Sequence, residues 1–447
     1  MGEMRVPEDA LYGASTQRAV ENFPVSGKRL PRPFLRALGL IKQAAAATNS
    51  EMGEVESKIA DAVGKAAAEV VAGEHDGHFP IDVYQTGSGT SSNMNANEVI
   101  ANRACQLLGK PIGSREVVHP NDHVNRGQSS NDVIPTALHI SCAEEVTHRL
   151  LPALDKLHDA LAAKAKVFDS VLKIGRTHLQ DATPVRLGQV FSGFAQQVQN
   201  GAVRLQHTLP HLHELALGGT AVGTGINCPE GFARKTIERI AASTGLPFCE
   251  AHNHFEAQAA RDAVVELSGS LKTVAVSLYH IANNIRFLGS GPRCGIGEIL
   301  VPATQPGSSI MPGKVNPVMS EMLIQVAMRV IGNDATVTAG GASGVYELNV
   351  ALPLMADALL ESVQLLANGS AVFTERCVQG LEADQERCAE LIEKSLMLCT
   401  SLAPHIGYDE AAALAKRAHA EKKTVREVAT EMGIEDLDER LDVRSMT

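Results

Sequence analysis

The feature that most constrains the fold is a seam of apolar residues between Asp262 and Leu288, which recur at alternating spacings of three and four. The seam consists of Val264, Leu267, Leu271, Val274, Leu278, Ile281, Ile285 and Leu288. A seam kept over more than three heptads is typical of a long helix packed against other helices. Because such a helix would run about 40 Å, one small domain cannot bury it. The sequence therefore predicts a long helical bundle, with bundling between subunits.

Two further stretches have the character of long helices. One runs from about Val133 to Val167 and contains Pro152, which should kink or break it. The other runs from about Leu187 to Leu217 and is interrupted by Pro210. Aromatic residues make up only 4% of the chain and there is no Trp, which suits closely packed helices more than sheets. We therefore predict an all-α fold.

The domain organisation follows from the length and from shifts in composition. A chain of 447 residues exceeds the usual size of one domain. An Ala-rich helical region precedes the long helices, and the chain becomes more charged, with shorter helices, after Asp384. We predict an N-terminal domain over residues 1–128, a central long-helix bundle domain over 129–384 and a small C-terminal helical domain over 385–447.

The charge balance narrows the class of partner. The formal net charge is −11, which argues against a nucleic-acid partner and means that an anionic substrate would need locally focused positive charge. No apolar run reaches the roughly 20 residues that span a bilayer, so no membrane partner is expected. The N-terminus lacks the layout of a secretory signal, and a cytoplasmic location is the expectation.

Cysteine and histidine spacing gives no clear metal site. None of the eight cysteines lies in a C-x-x-C pair, and several fall at apolar positions of predicted helices, so buried reduced thiols are predicted. The pairs His211/His213 and His252/His254 have no convincing third ligand nearby. We therefore predict no metal site.

A segment rich in glycine and proline, Gly307–Pro317, interrupts the helical pattern. Its prolines remove backbone donors, while Gly307 and Gly313 let the backbone turn and approach a ligand closely. Such a loop can wrap an anion with N–H groups and with the ammonium of Lys314. On composition alone an ordinary mobile connector remains the alternative.

This loop and three other segments, in the same order, resemble the fumarase/aspartase superfamily of lyases. The four segments are Gln85–Glu98, His119–Asn125 with Gln128–Asp132, Gly175–Ala182 and Gly307–Pro317. The resemblance implies an elongated central helical bundle flanked by smaller helical domains. It also implies a homotetramer whose active sites combine segments from different chains, and a reaction that needs no cofactor.

The chemistry of such lyases requires a base, an anion cradle and an acid. Removing a proton from the carbon next to a carboxylate leaves a carbanion, which is tolerable only if that carboxylate takes up the charge. The resemblance makes Ser308 the base, with its anion stabilised by loop N–H groups and by Lys314. On local sequence alone, Ser308 is a turn serine.

His178 is the candidate general acid, acting through a bound water on the departing hydroxyl. An imidazole ordinarily changes its charge near neutral pH, which suits proton transfer. The resemblance names Glu321 as the carboxylate that orients it. The residue at position 178 also distinguishes members of the superfamily. Class II fumarases have histidine at this position, as this chain does, whereas aspartases have glutamine.

The remaining candidate residues bind carboxylates. Ser/Thr/Asn clusters beside glycine are usually turns and helix N-caps, and a helix N-terminus is itself an anion site. The predicted substrate-binding residues are Ser88, Gly89, Thr90, Ser129, Ser130, Asn131, Thr177, Ser309, Lys314, Val315 and Asn316. The resemblance implies a second dicarboxylate site at His119, Pro120, Asn121 and Asp122.

The resemblance therefore implies a lyase that interconverts fumarate and L-malate. Two alternatives remain open. The first is aspartate ammonia-lyase, a close relative in the same superfamily. The second is a non-catalytic helical scaffold of the same fold, although a scaffold has no reason to retain Ser308, Lys314, Asn316 and His178 together.

Overall fold

The structure is a computed structural model that describes residues 3–447, and it is mainly helical. The helices are α1 (Ala14–Asn22), α2 (Arg32–Glu51), α3 (Ser57–Ala72), α4 (Thr90–Leu107), α5 (Ser130–Glu145), α6 (Leu151–Val167), α7 (Leu187–His213), α8 (Phe232–Thr244), α9 (His254–Ala259), α10 (Asp262–Leu288), α11 (Val318–Ala342), α12 (Leu352–Arg376), α13 (Gln385–Lys394), α14 (Ala403–Ile406), α15 (Tyr408–Glu421), α16 (Val425–Glu431) and α17 (Leu437–Arg440). The prediction of a helical fold is confirmed.

Short strands accompany the helices and were not predicted. They are β1 (Leu172–Thr177), β2 (Gln180–Arg186), β3 (Glu214–Leu215), β4 (Cys249–Glu250), β5 (Ile299–Leu300) and β6 (Glu382–Ala383). They pair as β1–β2 antiparallel, β3–β4 parallel and β5–β6 antiparallel. Only the first pair forms a hairpin, and it carries one of the predicted catalytic residues.

The seam helix has the predicted bounds, since α10 runs from Asp262 to Leu288. Every seam residue is buried, from Val264 at 0% exposed to Leu288 at 9%. Elsewhere on the helix, Val276 and Phe287 remain 53% and 45% exposed. The seam therefore lies in the core of the chain, and α10 also presents apolar residues outside it.

The other two long helices deviate from prediction at their ends. The second begins at Ser130, and a π-helical turn, Val146–Leu150, separates α5 from α6 just before Pro152. Proline lacks an N–H and crowds the carbonyl four residues earlier, so a break at this point is expected. The third helix, α7, ends at His213 rather than Leu217 because Glu214 and Leu215 pair with β4. The interruption predicted at Pro210 is wrong, since Pro210 lies inside α7, in its last turn.

Two compact units make up the chain. The first contains the residues up to Pro152 together with Val203–Ala275 and Met328–Ala367, and the second contains Ala153–Ala202, Val276–Ala327 and Asn368–Thr447. Each unit draws on several separate stretches, because long helices such as α10 contribute residues to both. The division into three domains at residues 128 and 384 stays a prediction.

In the first unit, α2 is the central element. It packs against α3, α5 and α8, and its Phe34, Leu38 and Ile41 are fully buried. A Cβ on Gly39 would lie 2.9 Å from the Val71 side chain, so glycine permits the close approach of α2 and α3. This packing supports α4 and α5, whose N-termini carry predicted substrate-binding residues.

In the second unit, the β1–β2 hairpin packs against α13. Leu172 of β1 also packs against the apolar core of the C-terminal segment, which includes Leu402, Leu414 and Val425. The pairing register shifts between Ile174 and Arg176, and a Cβ on the intervening glycine would meet a backbone oxygen at 2.4 Å. The base of the hairpin is thus fixed, whereas its tip is exposed.

All eight cysteines are free. Cys105, Cys142, Cys377, Cys388 and Cys399 are buried as predicted. The prediction is wrong for Cys249 and Cys294, which are exposed, because one lies in a short strand and the other in a loop rather than in helices.

No helix among residues 3–447 is long and apolar enough to cross a membrane. The cytoplasmic location expected from the sequence stays a prediction.

Candidate active site

The loop that contains Ser308 folds around the serine hydroxyl. Ser308 Oγ accepts hydrogen bonds from the backbone N–H groups of Ile310 (3.2 Å) and Met311 (3.0 Å). This is a serine turn, so the local reading of Ser308 as a turn residue is correct. The same two donors would stabilise negative charge on Oγ, because hydrogen bonds to an ionised acceptor are the stronger ones.

The ends of this loop are held together by its own polar groups. The N–H of Gly307 donates to the Lys314 carbonyl at 2.8 Å, and Asn316 Nδ2 donates to the Gly307 carbonyl at 2.7 Å. A Cβ on Gly307 would lie 2.4 Å from the Lys314 oxygen, so only glycine closes the loop in this way. Asn316 therefore supports the loop, in addition to its predicted contact with a carboxylate.

A cavity of about 460 Å³ opens beside the loop in the same unit. Its lining includes Lys314, Asn316, Glu321 and Arg286. Glu321 lies in the first turn of α11, and the Lys314 ammonium makes no ion pair with a described residue. The cavity thus combines two cations, an amide and a carboxylate, while neither Ser308 nor His178 lines it.

His178 occupies the tip of the β1–β2 hairpin. Thr177 pairs with Gln180, so His178 and Leu179 form a two-residue turn, with φ of 57° and 60°. Both are left-handed conformations, which match the twist of a tight hairpin but are strained for residues other than glycine. The turn holds the His178 side chain out in solvent, and Thr177 beside it is also exposed.

A buried carboxylate anchors the strand that leads to His178. Glu298 is fully buried, and its Oε2 lies 2.9 Å from Arg176 Nη1 and 3.1 Å from Lys173 Nζ. Burial lowers the pKa of Lys173, although the Glu298 charge opposes this effect. Since Lys173 and Arg176 both belong to β1, Glu298 fixes this strand within two residues of the hairpin tip.

We expect Glu298→Gln to destabilise the second unit. The change would leave two cations facing a neutral amide in a buried site, and breaking a buried ion pair costs about 3–5 kcal/mol. Urea unfolding monitored by circular dichroism measures the effect, with the exposed Glu375→Gln as the control. Equal unfolding midpoints for the two variants would show that the cluster contributes little.

The first unit brings together a chain of hydroxyl groups at the start of two helices. Thr90, the first residue of α4, has its Oγ1 at 2.9 Å from Ser88 Oγ and at 2.8 Å from Ser130 Oγ. Gly89 precedes α4 with φ of 73°, and a Cβ there would collide with Ile134 of α5. Hydroxyls from two of the segments that carry the family resemblance, Gln85–Glu98 and Gln128–Asp132, thus meet in one place.

The N-terminus of α5 is capped by residues of the segment Gln128–Asp132. Ser129 Oγ accepts from the Asn131 N–H at 3.2 Å, and Asp132 Oδ1 accepts from the Ser129 N–H at 2.9 Å. Asn131 Nδ2 donates to the Ala221 carbonyl at 2.7 Å. One amide donor of Asn131 is therefore already occupied, as is one lone pair of the Ser129 hydroxyl.

Asp132 also fixes the glycine-rich segment near residue 220. It is fully buried, and its Oδ2 accepts from the N–H groups of Gly218 (3.0 Å) and Thr220 (2.9 Å). Burial raises the pKa of Asp132 to about 6, although the backbone donors and the charge of Lys42 act in the opposite direction. This residue links the α5 N-terminus to a segment more than eighty residues further along the chain.

The predicted second dicarboxylate site is a single π-helical turn, Pro120–Val124. His119 caps it, since its Nδ1 accepts from the N–H groups of Asn121 and Asp122 at 3.2 Å each. The Asp122 carboxylate oxygen Oδ2 also lies 3.2 Å from His119 Nδ1. Asn121 and Asp122 are exposed and the Pro120 ring is buried.

The predicted catalytic residues lie in one unit, but among the residues that the structure describes no hydrogen bond or ion pair joins them. Ser308, His178 and Glu321 all belong to the second unit, whereas Ser88, Thr90, Ser129, Ser130 and Asn131 belong to the first. Among residues 3–447 no hydrogen bond links His178 to Glu321, and both are exposed. Ser309 and Val315 lie exposed on the Ser308 loop.

Sequence reasoning missed the residues that hold these segments in place. Asp132 could have been found, because Ser129-x-x-Asp132 is a capping-box pattern. Glu298 has no such signal, since nothing in its local sequence marks it as buried. The hairpin was missed because His178-Leu179 lacks the Asn-Gly or Gly-Gly pairs typical of tight turns.

Comparisons with known proteins extend over most of the chain. The family described as lyase matches residues 2–332, and the one described as fumarase C C-terminus matches residues 398–447. Mitochondrial fumarate hydratase of Mus musculus is 54% identical over 450 aligned residues, covering 100% of this chain and 89% of the relative. Fumarate hydratase class II of Methylorubrum extorquens is 55% identical over 432 residues, covering 97% and 92%. The crystal structure of recombinant class II fumarase from Schistosoma mansoni has a TM-score of 0.97 at 42% identity, covering 100% of this chain and 97% of that one.

Proposed function

Because this chain belongs to the fumarate hydratase family of lyases, we propose that it interconverts fumarate and L-malate by adding and removing water. The turn around Ser308 is the main observation that supports Ser308 as the base. A serine is a base only when its anion is stabilised, and two backbone N–H groups already point at Ser308 Oγ. In dehydration, Ser308 would remove the proton from the carbon next to one carboxylate of malate.

The negative charge that develops in that step must be stabilised by hydrogen-bond donors and cations around the carboxylate. The electron pair of the broken C–H bond moves into the carboxylate, which becomes doubly charged. Lys314 and Asn316, which line the cavity beside the loop, are proposed to bind one substrate carboxylate. The hydroxyls of Ser88, Thr90 and Ser130 and the Asn131 amide are proposed to bind the other, with Thr177 and Ser309 as further donors.

The second step expels the hydroxyl from the adjacent carbon. His178 is proposed to deliver a proton through a water molecule, so that hydroxide leaves as water and the double bond forms. Glu321 is proposed to orient the imidazole. The exposure of His178 at the tip of the hairpin supports this role, since the side chain is accessible to a water molecule and a substrate.

The active site is proposed to form in a homotetramer, with residues supplied by different chains. Three apolar residues of the Ser308 loop, Ile310, Met311 and Val315, are 84%, 48% and 44% exposed in the single chain. Val276 on α10 is also exposed, at 53%. Apolar surface beside catalytic residues is expected at an interface, where association removes it from water.

The turn at His119–Asp122 is proposed as the second dicarboxylate site that the family resemblance implies. The exposed Asn121 and Asp122 N–H groups donate to His119, so a ligand would have to use the side chains or displace the imidazole.

A single assay separates the proposed activity from the two alternatives. The protein is mixed with fumarate, with and without ammonium, and the loss of the fumarate ultraviolet absorbance is followed. Loss without ammonium is the expected result. Loss only with ammonium would indicate aspartate ammonia-lyase, and no loss in either case would indicate a scaffold.

A further inference from the structure

Lys42, on the central helix α2, is a fully buried lysine, as are its helix neighbours Leu38 and Ile41. A buried ammonium requires partners, because leaving water without them is costly. Its Nζ donates to Asn125 Oδ1 at 2.9 Å and to Gln128 Oε1 at 3.0 Å. Both acceptors belong to the short segment that enters α5.

Asn125 is the junction of this network. Its Oδ1 also accepts from Asn93 Nδ2 and Asn97 Nδ2, each at 3.2 Å, and both asparagines lie on α4. Its own Nδ2 donates to the Gln128 carbonyl at 3.0 Å. Lys42 therefore holds an amide that is bonded at the same time to α4 and to the last residue before the α5 cap.

Gln128 completes the connection. Its Nε2 donates to the carbonyls of Val124 and Arg126, both at 3.2 Å, so the side chain closes the segment upon itself. The next residue, Ser129, is the N-cap of α5. The hydrogen bonds of Lys42 therefore connect to the two helices whose first residues, Thr90 and Ser130, have their hydroxyl groups in contact.

The surroundings of Lys42 also act on its charge. Burial lowers the pKa of this lysine to about 7, while the carboxylate of Asp132 at the start of α5 opposes that shift. Its Nζ faces two amide oxygens, and both favour the protonated form. A neutral side chain of similar length would fill the same space without donating to either oxygen.

We infer that Lys42 is a positioning residue for substrate binding, which acts through Asn125 and Gln128 to set the spacing of the carboxylate-binding hydroxyls on α4 and α5. This inference rests on the proposed function. The network of Lys42 reaches the proposed carboxylate-binding hydroxyls and not the proposed base or acid, so its removal should affect the binding of the dicarboxylate more than the chemical step.

The test is a comparison of Lys42→Met with Lys65→Met. Lys65 is an exposed lysine on α3, so the same substitution there controls for loss of charge. We expect Lys42→Met to raise KM for fumarate roughly ten- to hundredfold, the equivalent of one or two hydrogen bonds to a charged group, while kcat changes only a few-fold. Lys65→Met should leave both constants near those of the unchanged protein.

A second variant keeps the inference testable if Lys42→Met does not fold. Gln128 is only half-buried, and Gln128→Met removes one Lys42 acceptor at little cost in packing. It should raise KM in the same way. When both variants fold, the double variant should lose less than the sum of the two effects, since the residues share one network.

Two failures are distinguishable in this series. If the unchanged protein does not hydrate fumarate, the proposed function is wrong. If it does, and a folded Lys42→Met or Gln128→Met protein retains the KM of the Lys65→Met control, the positioning role is wrong. A fall in kcat with unchanged KM would also overturn it.

Discussion

Ser308→Ala is expected to lower kcat for malate dehydration by about 10²–10⁴-fold, the usual contribution of one positioned acid–base group. The methyl group cannot take a proton, and the N–H groups of Ile310 and Met311 lose their acceptor. Steady-state kinetics of the purified variant measure the effect. Ser192→Ala, which changes an exposed serine on α7, is the matched control and should be unaffected.

The Ser308 hydroxyl has a structural role in its turn, so loss of activity must be separated from loss of the loop. Binding of succinate, a dicarboxylate that cannot react, reports whether the carboxylate-binding site is still intact. We expect Ser308→Ala to bind succinate within a few-fold of the unchanged protein and to keep its assembly state on a sizing column. Activity within a few-fold of the unchanged protein would rule out Ser308 as the base.

His178→Asn is expected to lower malate dehydration by a similar factor, about 10²–10⁴-fold. Asparagine is chosen because it tolerates the left-handed conformation that this position adopts, with φ of 57°. It keeps a polar donor but does not change charge near neutral pH. The pH–rate profile should therefore lose one limb, since that limb reports the titrating group.

Leu179 offers the control for this change. It is the other residue of the same turn, with φ of 60° and 78% exposure. Leu179→Asn places the same residue type one position along and should retain most of the activity and both limbs of the profile. A complete bell-shaped profile in His178→Asn would show that another group is the acid.

The helical part of the fold could be predicted closely, because period and apolar spacing are local signals. The seam between Asp262 and Leu288 gave α10 its bounds, and Pro152 marked the break before α6. The end of α7 was placed too late, since nothing near Glu214 shows that it pairs with Cys249, more than thirty residues away. Long-range pairing of this kind has no local signature.

The residues of the candidate site also fall into two groups, those that the local sequence marks and those that it does not. Ser308, Lys314 and Asn316 could be selected because glycines and prolines fix their loop and because the motif resembles a known family. Lys42 and Glu298 could not be selected, since a lysine or glutamate in sequence is ordinarily a surface residue. Their importance depends on burial and on partners such as Asn125 and Arg176, which only the structure shows.

The central claim is that one active site takes Ser308 and His178 from different chains of a tetramer. Its most direct test mixes Ser308→Ala and His178→Asn subunits, unfolds them together mildly and lets them reassemble. Each variant alone should be inactive. If the two residues come from different chains, roughly a quarter of the sites in an equal mixture carry neither change, and about that share of activity should return. If both residues come from the same chain, every site carries one of the two changes, and an inactive mixture would contradict the claim.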